Sequence, residues 1–260
     1  MGVDNMEVTA VNDGFKEPAY EENSEVVLSR IRRLPYHRRK LKNPRFAFAS
    51  RLKLRAKYPR ATYQFGKRTM DISISLFALI LLSPVFIAIA IGILLSDGWP
   101  IVFAQRRIGI SGVVFKIYKF RTMVKNAEAV LAARPDLMEE YKRTFKIAND
   151  PRIFALGKFL RKTSLDELPQ LWNVLMGQMS LVGPRPIVEK ELEMYGNQKD
   201  LYLSMKPGCA GLWQCSGRSG TSYDERVLLD EQYYMGACIR NDVKILFMTA
   251  MAIFKREGAH

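Results

Sequence analysis

The feature that most constrains this chain is an uncharged run of 24 residues, from Ile72 to Leu95. As a straight α-helix it would extend about 36 Å, because each residue adds roughly 1.5 Å. The hydrocarbon core of a bilayer is about 30 Å thick, so the run is long enough to span it. It begins too deep in the chain for a cleaved signal peptide, and no small-residue cleavage pattern precedes Asp97. The run therefore predicts a membrane segment.

Ser83 and Pro84 interrupt this run near its middle. Proline removes a backbone donor and clashes with the preceding turn, so it kinks or breaks a helix. One interpretation is a kinked helix that spans the bilayer. The other is a helix that breaks at mid-depth and returns to the side from which it came, with the Ser83 hydroxyl satisfying a freed backbone group. Composition alone does not decide between them.

The formal charge of +14 is concentrated in one segment. Residues 1–29 carry −6 and lack an apolar period, which predicts a disordered acidic tail. Residues 30–68 carry +15 without one acid, and residues 69–260 carry only +5. The basic segment is open to three interpretations, namely a solvated linker, a nucleic-acid-binding segment or a contact with anionic lipid. Because it directly precedes the uncharged run, we favour lipid, expect no nucleic-acid partner, and place it on the cytoplasmic side by the positive-inside rule.

These patterns divide the chain into an acidic tail (1–29), a basic membrane-proximal segment (30–66), a membrane helix (67–96) and a folded domain (97–260). For the last we predict an α/β class, mostly α. The stretches PIVFAQRRIG and VVFKIYKFRTM predict two strands around a glycine-rich turn at 109–112. Three cysteines and two histidines without paired spacing make a zinc site improbable.

Three further segments have helical character. The stretch RIFALGKFLRKTS predicts either a helix on the membrane surface or a core helix, with four apolar residues on one face: Ile153, Leu156, Phe159 and Leu160. The stretch LPQLWNVLMG predicts a helix stopped by Gly177, with an apolar stripe of Leu168, Leu171, Trp172 and Leu175. The apolar stretch at 243–254 is too short to span a bilayer and predicts a buried or interfacial helix.

Two adjacent carboxylates, Asp166 and Glu167, follow Ser164. Ser164 and Glu167 have the spacing of a capping box, which accounts for them without any chemistry. Pro169 fits poorly into a helix capped by Ser164 and better into one that begins near Asp166. In that placement Asp166 is exposed beside basic residues, which would depress its pKa and make it available as a nucleophile or metal ligand.

Five basic residues in or beside turns are candidates for binding phosphate: Lys119, Arg121, Arg161, Arg185 and Arg218. Adjacent carboxylates that share Mg²⁺ with substrate phosphates are a common arrangement, so Asp166 and Glu167 are also candidate metal ligands. Next to a membrane segment, this combination points to phosphoryl transfer between a nucleotide-activated solute and a molecule in the bilayer.

From about Lys67 onward the chain resembles the bacterial sugar transferase family, the monotopic polyprenyl-phosphate phosphoglycosyl transferases. The motifs that carry the resemblance are KRTMD (67–71), SP (83–84), QRRIG (105–109), FKIYKFRTM (115–123), LRKTSLDELPQLWNVLMGQMSLVGPRP (160–186) and KPGCAGLWQCSGR (206–218). Within the family the chain is most similar to the hexose-1-phosphate transferases that start exopolysaccharide repeat units. Cys209 and Cys215 replace the residues that relatives more often have at these positions. We interpret both replacements as small changes in packing.

The resemblance implies a re-entrant helix broken at Ser83-Pro84 and a catalytic domain on the cytoplasmic face of the bacterial inner membrane. It implies transfer of glucose or galactose 1-phosphate from a UDP-sugar to undecaprenyl phosphate, with release of UMP. By motif match, Asp166 forms a covalent phosphosugar, Glu167 assists and helps to hold Mg²⁺, and Arg161 binds a phosphate. The alternative is a non-catalytic membrane scaffold of a polysaccharide-assembly complex. The sequence leaves open the hexose, the role of residues 1–66 and the oligomeric state, homo-oligomers included.

Overall fold

The computed structural model describes residues 61–144, 147, 150–216 and 223–254. The acidic tail predicted at 1–29 and all of the basic segment up to residue 60 lie outside the described residues. The described part is mostly α with two small sheets, in agreement with the predicted class.

The helices are Ala61–Leu81 (α1), Ser83–Asp97 (α2), Ala127–Ala132 (α3), Pro135–Thr144 (α4), Ala155–Thr163 (α5), Gln170–Leu175 (α6), Glu189–Leu192 (α7), Lys199–Leu203 (α8), Leu212–Ser216 (α9), Tyr223–Met235 (α10) and Ile239–Phe254 (α11). Short 3₁₀ turns cover Ile110–Gly112, Leu165–Glu167 and Glu193–Gln198. The strands are Val102–Ile108 (β1), Val114–Phe120 (β2), Ser180–Val182 (β3) and Gly208–Ala210 (β4).

The uncharged run forms two helices, α1 and α2, with a bend of 60° between them at the predicted Ser-Pro break. Pro84 cannot donate to the carbonyl of Ile80, and the Ser83 hydroxyl donates to that carbonyl instead, at 2.8 Å. Within the described residues no single helix is long and apolar enough to cross a bilayer, whereas this bent pair passes by length and composition. Large apolar side chains on both helices are exposed, among them Phe77, Ile87 and Leu95.

Three polar side chains of the KRTMD motif attach α1 to the rest of the domain. Lys67 forms an ion pair with Asp242 of α11, with 3.0 Å between Nζ and Oδ2. Arg68 donates to the last two carbonyls of α6, at 2.6 and 2.7 Å. The buried carboxylate of Asp71 accepts from the Leu181 N–H at 2.9 Å and from the Ser180 hydroxyl at 3.1 Å. The motif therefore anchors the first arm of the bent pair.

The two sheets come from different kinds of sequence signal. β1 and β2 form the predicted antiparallel hairpin, with Val102 opposite Phe120. β3 and β4 are parallel, and no strand was predicted for either. β3 directly precedes the GPRP stretch, and β4 lies within KPGCAGLWQCSGR. A Cβ at Gly208 would collide with the backbone of Gly183, so glycine is needed where the two chains approach.

The apolar stripe predicted for α6 is confirmed only in part: Leu168 and Leu171 pack against core clusters. Trp172 is 53 % exposed, whereas Asn173 and Val174 are fully buried. The Asn173 amide makes two bonds to the backbone along one edge of strand β2, accepting from the Tyr118 N–H and donating to the Lys116 carbonyl. This polar bridge, and not the apolar stripe, sets the rotation of the short helix. Gly177 does end it, at a φ of +77°.

Helix α5 packs on the core along one side, as one of the two predicted alternatives, but Phe159 and Leu160 do not share the predicted apolar face. Leu160 is fully buried in a cluster with Ile89, Ile93 and Phe120, which joins α5 to α2. Phe159 is 54 % exposed on the other side. Gly157 lies against the backbone of Thr122, where a side chain would clash, so α5 packs closely on the chain that follows β2.

Candidate active site

The two carboxylates lie on a tight turn between α5 and α6. Ser164 ends α5 in the left-handed conformation, at φ +57°, and the 3₁₀ turn Leu165–Glu167 follows directly. The Ser164 side chain makes no capping hydrogen bond, so the capping-box interpretation is wrong. The regular helix α6 begins only at Gln170, after Pro169, and not near Asp166 as predicted.

Asp166 is 9 % exposed, and its pKa is raised to about 6. Burial is the largest cause, and the charge of Glu167 adds to it, while Lys119 and Arg161 act in the opposite direction. The expectation of an exposed carboxylate with a depressed pKa is thus wrong, because loss of hydration outweighs the neighbouring cations. A carboxylate of this kind is still mostly ionised at neutral pH.

Glu167 is more exposed than its neighbour and is paired with a lysine from strand β2. The Lys119 ammonium lies 2.5 Å from its Oε1. On the other side, the Nε of Arg161 donates to the Thr122 hydroxyl at 2.9 Å, which holds the guanidinium at the end of α5. The structure therefore brings four of the predicted residues together: Asp166, Glu167, Lys119 and Arg161.

Arg121 has a different environment from the one expected. Its guanidinium bonds to the Asp97 carboxylate and to backbone carbonyls at Asp97, Gly98, Pro100 and Met123. All three nitrogens are used in closing the turn between α2 and β1. This geometry does not favour a contact with substrate phosphate, since such a contact would have to break the turn.

The remaining predicted arginines lie outside the carboxylate turn. Arg185 follows β3, and its guanidinium lies over the Trp213 ring at 5.5 Å from the centroid. Arg218 lies outside the described residues. Two cations that the sequence did not single out for phosphate, Arg107 and Arg226, lie close to Arg185. The charge of Arg185 lowers the pKa of both, although burial is the larger cause. QRRIG was a signal for Arg107, whereas Arg226 had none.

The carboxylate pair fits one known mode of magnesium binding. Within the described residues no group of three or more His, Cys, Asp or Glu side chains could hold a metal ion. Mg²⁺ is commonly bound by one or two carboxylates together with substrate phosphates, and Asp166 with Glu167 matches that donor set. Lys119 would compete with the ion for Glu167.

Comparison with known proteins agrees with these motifs. The model of the family "Bacterial sugar transferase" matches residues 62–256. The undecaprenyl-phosphate galactose phosphotransferase of Salmonella typhimurium is 47 % identical over 213 residues, which cover 80 % of this chain and 44 % of that protein. The exopolysaccharide production protein ExoY of Rhizobium meliloti is 44 % identical over 199 residues, which cover 75 % of this chain and 88 % of that protein.

A third relative is the UDP-glucose:undecaprenyl-phosphate glucose-1-phosphate transferase of Escherichia coli, 37 % identical over 204 residues that cover 75 % of this chain and 41 % of that protein. The chain thus spans less than half the length of the galactose and glucose transferases, and most of the length of ExoY. From the extent of these matches, the chain belongs to the bacterial sugar transferase family.

Proposed function

We propose that this protein transfers hexose 1-phosphate, either galactose or glucose, from a UDP-sugar to undecaprenyl phosphate and releases UMP. The transfer would be the first membrane step in the synthesis of an exopolysaccharide repeat unit. The observation that carries the proposal is the buried carboxylate of Asp166, ionised at neutral pH and flanked by Lys119 and Arg161. The names of the relatives supply the substrates, since they include both galactose and glucose transferases.

The mechanism has two displacements. An Asp166 oxygen attacks the β-phosphorus of the UDP-sugar, the bond from that phosphorus to the bridging oxygen breaks, and UMP leaves with this oxygen. An oxygen of undecaprenyl phosphate then attacks the phosphorus of the phosphosugar, and the Asp166 carboxylate is regenerated. Covalent catalysis of this kind lets the soluble donor and the lipid acceptor bind in turn.

The residues around Asp166 have separate tasks in these steps. Burial removes water from the Asp166 carboxylate and so exposes its charge to the phosphorus. Lys119 and Arg161 offset the negative charge that gathers on the phosphoryl oxygens, as fixed cations do in a site of low dielectric. Bound Mg²⁺, held by Asp166 and Glu167, would supply further charge neutralisation on the diphosphate.

We place the site at the cytoplasmic surface of the inner membrane, with α1 and α2 entering one leaflet and returning. The bend at Ser83-Pro84 and the exposed apolar side chains of both helices support this placement. Leu165 and Leu168, on either side of the carboxylate pair, pack on the cluster that contains Ile89 and Ile93 of α2. The carboxylates would therefore lie at the height of the lipid headgroups, where the acceptor phosphate is found.

Intact-mass measurement tests the proposal directly. The protein in lipid nanodiscs is mixed with Mg²⁺ and one UDP-hexose at a time, without acceptor lipid. A hexose-phosphate adduct that maps to Asp166, is absent from Asp166→Asn, and disappears when undecaprenyl phosphate is added is the expected result. Asp136→Asn, which removes an exposed aspartate of α4, is the matched control and should form the adduct normally. No adduct and no UMP with any donor would contradict the proposal and favour the scaffold.

A further inference from the structure

A second polar region lies beside the carboxylate turn and has no part in the mechanism above. It is a cleft lined by Arg185, Ile187, Glu191, Tyr195, Trp213, Tyr223, Arg226 and Asp230. Two guanidiniums lie over the same indole ring, since the Cζ atoms of Arg185 and Arg226 are 5.5 and 4.7 Å from the centroid of Trp213. Cations at these distances are attracted to the ring face, but they repel one another.

The positive charge of the cleft exceeds its negative charge. Arg185 lowers the pKa of both Arg107 and Arg226, after burial as the larger cause, so its guanidinium is close enough to act on both. Of the two carboxylates that line the cleft, Glu191 is paired with Arg107 at 3.5 Å. The other, Asp230, is 1 % exposed, and burial raises its pKa to about 7. It is therefore partly protonated at neutral pH.

Several buried polar atoms around the cleft have no hydrogen-bond partner within the described residues. The unpaired donors are Nε of Arg107, Nε of Arg226 and Nε1 of Trp213. One acceptor, Oδ1 of Asp230, is also unpaired, while its Oδ2 accepts from the Tyr195 hydroxyl at 2.8 Å. Buried polar groups are nearly always paired in folded proteins, so a cluster of unpaired ones indicates a missing partner. Three donors beside excess positive charge suit an anion with several acceptor oxygens, and the lone acceptor suits a hydroxyl group.

A phosphate ester that also carries hydroxyl groups meets both requirements. Its source could be the nucleotide or the lipid, and the packing of the cleft distinguishes them. Three of the cleft residues, Ile187, Tyr195 and Tyr223, pack in a cluster with Ile108. The second arm of the bent helix pair instead packs in the cluster around Ile93. A phosphate on a polyprenyl chain would be expected near the bent pair. A water-soluble nucleotide does not need to lie near the membrane helices, so the position of the cleft favours the nucleotide.

We propose that this cleft binds the nucleoside monophosphate part of the donor, with the phosphate on Arg226 and Arg185 and a ribose hydroxyl on Asp230. The proposal rests on the proposed function, because the monophosphate is the group that leaves when Asp166 attacks. Arg107 connects the two regions, since the carboxylate of Glu167 acts on its pKa, although less than burial and Arg185 do. Arg226 and Trp213 become nucleotide-binding residues, whereas Asp166 and Glu167 carry the chemistry.

Binding of UMP tests the cleft independently of turnover. Titration of UMP into the full chain in nanodiscs, with Asp166→Asn present throughout, separates binding from reaction. Arg226→Gln should weaken UMP binding at least 10-fold, and Arg226→Lys should recover part of the loss. Uridine, which lacks the phosphate, should bind equally to all three proteins. Arg134→Gln, at an exposed arginine paired with the nearby Asp136, is the matched control and should leave the affinity for UMP unchanged.

A second measurement does not depend on how well the Arg226 variants fold. UMP should change the fluorescence of Trp213 in the protein with its natural cleft, and Trp213→Phe should abolish that change. Equal affinity of Arg226→Gln and its parent for UMP would overturn the inference, as would a fluorescence change that persists in Trp213→Phe. Displacement of UMP by a short-chain polyprenyl phosphate in an Arg226-dependent way would overturn the assignment to the nucleotide.

The two proposals fail in different ways. A normal phosphosugar adduct on Asp166, together with UMP binding that ignores Arg226, would leave the proposed function standing and remove the cleft. UMP binding that depends on Arg226, in a protein that never forms the adduct, would leave the cleft standing and remove the catalytic mechanism.

Discussion

The carboxylate turn and the arginine cleft are neighbouring regions built on opposite principles. In the turn, Asp166 and Glu167 are adjacent in sequence, and Lys119 and Arg161 from flanking elements balance their charge. In the cleft, Arg185 from the loop after β3 and Arg226 from α10 meet over one indole ring, with Arg107 of β1 close to Arg185, and buried donors remain unpaired. In the first region each carboxylate has a cation of the protein beside it. The second reaches completion only with an anionic ligand, so the two should respond differently to mutation.

The largest effect is expected at the nucleophile. Asp166→Asn should lower the rate of UMP release from a UDP-hexose by at least about 1000-fold, because loss of a nucleophile removes the covalent route. Binding of UMP to the cleft should stay unchanged in the same variant. Release of UMP is measured by a coupled assay, and affinity by titration. A residual rate above a tenth of the original would contradict the role of Asp166.

The next effect concerns stability and belongs to the cleft. The pKa of Asp230 is about 7 in the folded protein, above the ordinary value of 3.8, so the folded state binds this proton more tightly than the unfolded state. The stability that protonated Asp230 contributes to the folded state is present in full below about pH 4, falls as pH rises, and is lost above about pH 7. Each pKa unit corresponds to about 1.4 kcal/mol, so the full loss is on the order of a few kcal/mol.

Asp230→Asn should therefore raise the unfolding temperature at pH 8 and leave it nearly unchanged at pH 4. An asparagine oxygen can still accept from the Tyr195 hydroxyl, which keeps the contact that Asp230 makes now. Thermal unfolding at the two pH values measures the difference, with Asp136→Asn as the exposed control. Destabilisation of Asp230→Asn at pH 8 would mean that the carboxylate is ionised and fully paired, and the cleft would then need no anion.

The smallest effect is expected at Lys119. Lys119→Met should lower kcat by roughly 10- to 100-fold, less than the loss of a sole stabilising donor, because Arg161 remains beside Asp166. Lys116→Met, at an exposed lysine of the same strand, is the control and should retain normal kcat. Both rates come from steady-state assays at saturating donor. A change in KM alone would assign Lys119 to substrate binding and would make the turn resemble the cleft.

Much of the fold was predictable because it depends on local rules. The Ser83-Pro84 break, the β1–β2 hairpin and the Gly177 stop each follow from the backbone limits of a few adjacent residues. The carboxylate pair was found by motif, which also depends on adjacent positions. Predictions failed where partners come from distant parts of the chain. The α6 stripe is the clearest case, because Asn173 is held by strand β2.

By itself, the sequence determined the bent apolar pair, the mostly α domain and the identity of the carboxylates, since each is written in contiguous residues. Tertiary structure alone decided the protonation and partners of the charged groups. It buried Asp166 and so raised a pKa that neighbouring charges predicted to fall, it committed Arg121 to the turn after α2, and it brought Arg107, Arg185 and Arg226 together. Hydration and Coulomb energies depend on distances in space, and residues far apart in the chain acquire such distances only when the protein folds.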